Sequence, residues 1–171
     1  MATEKVMRSK MRHYIQTATA PVTWKQLNKG ITSLTSSYNP EIEEEAYIGE
    51  DVKTKYVTML ATETAFDLLY DSSDDANTYL FGIMWDRKIG SEAETYLLSV
   101  DMTEATTTPV GEPPKDVTTY EAVKDKVSIV YNSMGDEAVK PLKISVSLVH
   151  QGDPVFGQYN PVTGVFTPDK G

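Results

Sequence analysis

The residues best suited to proton transfer in this 171-residue chain are its two histidines, His13 and His150. A neutral imidazole can take up and return a proton near pH 7. They fall in different strand-like segments, with no H-x-x-x-H or similar spacing. The chain has no cysteine, so zinc would have to recruit carboxylates around both. The run DSSDD at 71–75 offers calcium-like oxygens. It lacks the glycine and the distal bidentate glutamate of an EF-hand loop, and opening a helix is its simpler use. Ser99 and Ser133 sit in no G-x-S-x-G elbow. No glycine-rich phosphate loop follows a strand. Among 25 acidic residues nothing singles out a glycosidase-type pair. The reading is a chain with no catalytic residue, no cofactor and no metal, whose histidines are ordinary surface or partly buried residues.

Charge is more informative. The formal net charge is −9. A nucleic-acid binder needs a basic footprint to displace counterions from phosphate, so that class is disfavoured. The stretch Ser33–Asp51, SLTSSYNPEIEEEAYIGED, carries six acids between Glu41 and Asp51 and no base. It also carries Tyr38, Ile42, Tyr47 and Ile48, which gain from contacts. Lys5, Arg8, Lys10 and Arg12 make the first dozen residues basic. Two readings stand: separate solvated segments, or complementary surfaces that meet between subunits.

The elements that must position these residues are mostly strands. Residues 11–17 alternate loosely. A strand from 22, a turn at Asn28–Gly30 and a strand over 31–38 follow, with Asn39-Pro40 turning the chain. Residues 55–70 read as one long strand with a change of parity near Ala65, the mark of a bulge. A helix is expected over 74–88. Ser72 or Ser73 would cap it, Asp74 and Asp75 lie in its first turn, Arg87 and Lys88 in its last, and Gly90 stops it. Ala76, Tyr79, Leu80, Ile83 and Met84 form its apolar face. Residues 94–101 make a strand. Residues 102–117, with three prolines and four threonines, read as a surface loop. Leu142, Ile144, Val146 and Leu148 alternate with Lys143, Ser145 and Ser147 to give one buried and one wet face. A last hairpin turns at NPVTG, where Gly164 supplies the positive φ. The sum is a single, mainly β domain over 1–171, an antiparallel β-sandwich or open barrel with one flanking helix. No apolar run approaches a membrane span, and residues 1–17 hold no apolar core of a secretory signal, so assembly in the cytoplasm is expected.

Three segments together resemble the major tail (tail tube) proteins of long-tailed bacteriophages, especially those of Gram-positive hosts. The first is WKQLNKGITSLTSSYNPEIEEEAYIGED, with Trp24, Gly30-Ile31-Thr32, Tyr38-Asn39-Pro40-Glu41 and Tyr47-Ile48 before Glu50-Asp51. The second comprises FDLLYDSSDDANTYLFGIMWDRKIG and YLLSVD. The third is VSIVYNSMGDEAVKPLKISVSLVHQGDPVFGQYNPVTGVFTP. The resemblance implies a structural virion protein that forms stacked hexameric rings, the conduit for genome delivery. Its implied partners are itself, a tape-measure protein, tail-tip initiator and tail-terminator proteins, and viral DNA passing without specific binding. Under it, residues 1–20 become an N-terminal arm and about 36–55 an acidic loop reaching the next ring. Tyr38, Ile42, Tyr47, Ile48, Glu50 and Asp51 would make the contact, with Lys10 and Arg12 on the basic side. The alternative is a β-sandwich binding module, carbohydrate-binding or adhesin-like, which should show an aromatic platform or a metal site. An enzyme comes third.

Overall fold

The computed structural model describes residues 7–46, 48–49, 52–111 and 114–169. After a 3-10 turn at Arg8–Lys10, strands β1 (Met11–Thr19), β2 (Val22–Gln26) and β3 (Ile31–Ser37) lead to β4 (Pro40–Glu45) and β5 (Thr54–Leu60). Then come β6 (Glu63–Leu69), helix α1 (Asp75–Trp85) and a 3-10 turn at Gly90–Ala93. The chain closes with β7 (Glu94–Val110), β8 (Lys115–Met134), β9 (Lys143–Asn160) and β10 (Val165–Pro168).

One sheet runs β2-β1-β7-β8-β9-β6-β3, with β10 beside the far end of β9, and every pairing in it is antiparallel. Side chains alternate across a pleated strand, so each strand can serve two cores. Ile15 and Leu97 enter one cluster, while their neighbours Tyr14 and Leu98 enter another. The larger cluster joins residues of β1 and β7 to Phe66 and Leu68 of β6 and Val146 and Leu148 of β9. Strands from both halves of the sheet thus face one core, and the sheet is curled without closing. Ala76, Leu80 and Ile83 of α1 seal that core. The smaller cluster packs Tyr14, Leu98, Val100, Ala122 and Tyr159 against Trp24 and Phe166. Tyr14 and Tyr159 meet ring to ring at 5.0 Å, and burial pushes the Tyr159 phenol up to about 12. Gly30, in the turn between β2 and β3, packs against the end of β6. Its φ is +76°, its carbonyl accepts from Leu69 N–H, and an added Cβ would collide with the Leu69 carbonyl.

The fold class matches the expectation, and several element boundaries do not. The segment 55–70 is two strands in two sheets: β5 pairs only with β4, while β6 joins the main sheet. The acidic loop is therefore largely a hairpin. The presumed arm is, from Met11 onward, a strand packed between β2 and β7, with Ile15 fully buried. The helix is shorter than 74–88. Asp74, not a serine, caps it by accepting from Asn77 N–H at 2.9 Å. It ends at Asp86, with Arg87 in the left-handed region at φ +52° rather than in the last turn. The proline- and threonine-rich segment is strand on both sides of its turn: Pro109 pairs with Asp116 and Thr107 with Thr118. Ser147 is buried rather than wet and accepts from the Asn132 amide at 3.0 Å.

Candidate assembly surfaces

Hairpin β4–β5 has no burial of its own. Each of its residues in Pro40–Glu45 and Thr54–Leu60 is exposed. Ile42 sits directly opposite Val57, and Glu43 opposite Tyr56. By strand alternation the Ile42/Val57 pair shares a face with Glu44 and Lys55, while Tyr56 shares the other with Glu43 and Glu45. Glu44 pairs with Lys55 at 2.6 Å and Lys53 at 3.4 Å. Tyr56 donates to Glu43 at 3.4 Å, and the carboxylates of Glu45 and then Glu43 hold its proton, raising its pKa. A two-stranded ribbon in water is marginal alone, and exposed β-branched side chains on it gain by contact with another surface.

The sequence-selected residues divide as follows. Tyr38, just past β3, and Ile42 are exposed, as is Ile48 in the turn between β4 and β5. Tyr47, Glu50 and Asp51 lie outside the described residues. Lys10 and Arg12 are exposed at the start of β1 and make no ion pair with the hairpin among the described residues. Sequence reasoning missed Tyr56, Val57, Met59 and Leu60 of β5, all exposed, by merging them with β6 into one long strand. It also missed Trp85 and Ile89 beyond the helix's buried face, 67% and 81% exposed.

Two stretches of sheet edge are also open. β1 accompanies β7 only as far as Asp101, and β9 accompanies β8 only from Tyr120 onward. Among the described residues, the ribbon 102–110 with 115–119 therefore extends with no strand paired to either outer edge. β2 and β3 are the edges of the main sheet. Such edges recruit further strands unless covered.

The histidines are brought closer together than their sequence separation suggested. His13 Nδ1 lies 3.0 Å from Ser99 Oγ. His150 lies between Asp125, 3.4 Å from its Nδ1, and Thr64 Oγ1, 3.0 Å from its Nε2; Ser36 Oγ adds a further 3.0 Å link to Thr64. Burial, then the positive charge of Arg8, then His150 push the His13 pKa down to about 4. The order Asp125–His150–Thr64 imitates a nucleophilic triad, but Thr64 is fully buried and no substrate reaches its hydroxyl. The line instead ties β8, β9, β6 and β3 together. The carboxylates of 71–75 are likewise occupied. Asp71 pairs with Lys29 at 2.9 Å and accepts from Ser73, which hold it well below the usual carboxylate range; Asp75 pairs with Lys25 at 2.6 Å.

No protein-family model and no curated protein matches this chain. Solved structures do match. The SPP1 tail tube aligns with TM-score 0.61 at 15% identity, over 89% of this chain and 78% of that one. The tail of an empty GTA particle, refined with C6 symmetry, aligns with TM-score 0.56 at 9% identity, over 89% and 98%. At these identities the likeness defines the fold: this chain has the fold of a tail-tube subunit.

Proposed function

We propose that this protein is a structural subunit that stacks as hexameric rings into a phage tail tube, the conduit for genome delivery. The observation that carries the reading is hairpin β4–β5, a fully exposed ribbon with apolar side chains on a fold shared with the SPP1 tail tube. Tyr38 and Ile42, with Tyr47 and Ile48, act as anchors on a neighbouring ring. Glu50, Asp51 and the other acids keep the unassembled subunit soluble and meet basic surfaces such as Lys10 and Arg12. Open edges at β2, at β3 and along the distal β7–β8 ribbon find strands of adjacent copies, which removes the hazard of unpaired edges. Head-to-tail contacts that close make rings, and repeated stacking makes a filament. The net charge of −9 suits a conduit, because a negative lumen repels phosphate where a basic one would hold it. A tape-measure protein, tail-tip initiator and tail terminator complete the assembly in the host cytoplasm, and the role is not enzymatic.

Replacing Ile42 and Val57 together by Ser tests the reading. Both side chains are 57% exposed, so the monomer should melt within about 0.5 kcal/mol of the parent while assembly measured by sedimentation is lost. Unchanged assembly would remove the hairpin from the interface.

A further inference from the structure

We propose that the face of β7, β8 and β9 lying past His13 and Asp125 binds a neutral pyranose sugar. The site belongs to the single subunit and does not depend on the tube-forming reading. Strand register builds it. Ser99 opposes Val123, Val123 opposes Phe156, and two residues along Glu121 opposes Gln158. Alternation turns all five to one face, together with Asp101, two residues after Ser99. The residues between them point the other way: Val100, Ala122 and Tyr159 are buried in the smaller core. Gly157 lies between Phe156 and Gln158, and an added Cβ there would strike the Phe166 ring, so the face is backed by packed side chains. Above it is a cleft of about 480 Å³, within the size range of small-molecule sites.

Phe156 distinguishes this face from a solvated sheet. Its ring is 60% exposed and enters neither core. The face of an aromatic ring is negative, so it attracts the weakly positive C–H bonds on one side of a pyranose ring. Groups of both hydrogen-bonding senses stand around it. Gln158 Oε1 accepts from the Thr119 hydroxyl at 3.1 Å, which leaves the amide nitrogen to donate to a sugar hydroxyl. Glu121 is exposed, and its two oxygens accept from a neighbouring pair of hydroxyls. Asp101 is fixed by the Thr103 hydroxyl at 2.6 Å and then its backbone N–H at 2.8 Å, which hold that carboxyl below the usual carboxylate range. The lining carries these two carboxylates and that of Asp169 but no Lys or Arg, so a sugar with its own carboxylate is repelled. Of the two marks expected of a carbohydrate-binding module, an aromatic platform and a metal site, this face supplies the first.

Saturation-transfer NMR on the full chain, which reads subunits and filaments alike, tests the site. The probes are methyl β-glucopyranoside, N-acetylglucosamine, glucosamine and glucuronate. At least one of the two neutral sugars should receive saturation at its ring C–H protons, with Kd on the order of a few millimolar, and glucuronate should receive none. Phe156→Ala should weaken that binding about tenfold or more, and Glu121→Gln should weaken it as well. Phe156→Tyr keeps the ring and should retain binding, so a misfolded Ala variant would leave the test intact. Trp85→Ala removes another exposed ring and should change nothing. No transfer to either neutral sugar would overturn the proposal, as would a folded Phe156→Ala variant that binds like the parent. Transfer to glucosamine alone would mark an ammonium site and would overturn the sugar assignment.

Discussion

At the scale of the residue, His13 couples the core to pH. Burial beside Arg8 keeps it neutral down to about pH 4, whereas an unfolded chain protonates it near 6.5. As pH falls through that window the unfolded state binds the proton first, so folding loses stability. The contribution is fully present above about pH 6.5 and is drained as pH approaches 4, by on the order of 3 kcal/mol at 1.36 kcal/mol per unit. Urea melts of the parent at pH 7, 5.5 and 4.5 should show this decline. His13→Gln, which keeps a polar group near Ser99, should show a shallower one. Identical slopes would mean that the imidazole is not held neutral. The residue scale is also where sequence reasoning was weakest. Histidines far apart in sequence are both placed by pairings, β1 with β7 and β8 with β9, that no local spacing encodes.

At the scale of the element, the helix and the hairpin make opposite uses of apolar residues. Leu80 is fully buried and receives the Tyr131 hydroxyl on its carbonyl at 2.6 Å; burial raises that phenol well above its usual range. Leu80→Asp should destabilise the monomer by about 3 kcal/mol or more, since it buries a charge with no partner. Asp86→Ala, on an exposed cap residue, should stay within about 0.5 kcal/mol. Equal losses in urea melts would show that the helix is turned the wrong way. Such elements were legible where one face is buried: period two ran clearly through Ile144, Val146 and Leu148, and helical spacing through Ala76, Leu80 and Ile83. They were illegible where burial comes from nothing within the chain. The segment 102–117 looked like a loop because Pro and Thr crowd it. Pro109 lies in a stretch of β7 that, among the described residues, pairs with β8 alone, the edge setting in which a strand accommodates proline. For the same reason β5 looked like an extension of β6: its Val, Met and Leu have the composition of core strand with no core beneath them.

At the scale of the whole molecule, charge sits at one end of the chain's logic and exposed edges at the other. If Lys10 and Arg12 meet acids of a neighbouring copy, each exposed pair is worth only about 0.2–1 kcal/mol. Repetition around a ring and along a stack multiplies it. Changing both to Glu should raise the concentration needed for growth in light scattering and leave the melting curve unmoved. The defect should ease toward about 1 M salt, where the Debye length falls to about 3 Å. Parental thresholds at low salt would leave that basic segment outside the interface. The central claim, that this fold exists to build a tube, is tested most directly by electron microscopy of the concentrated protein followed by helical reconstruction. The account predicts hollow filaments of stacked six-subunit rings, with β4–β5 of each subunit gripping the adjoining ring. Dispersed monomers at every concentration, or filaments in which that hairpin projects untouched into solvent, would contradict it.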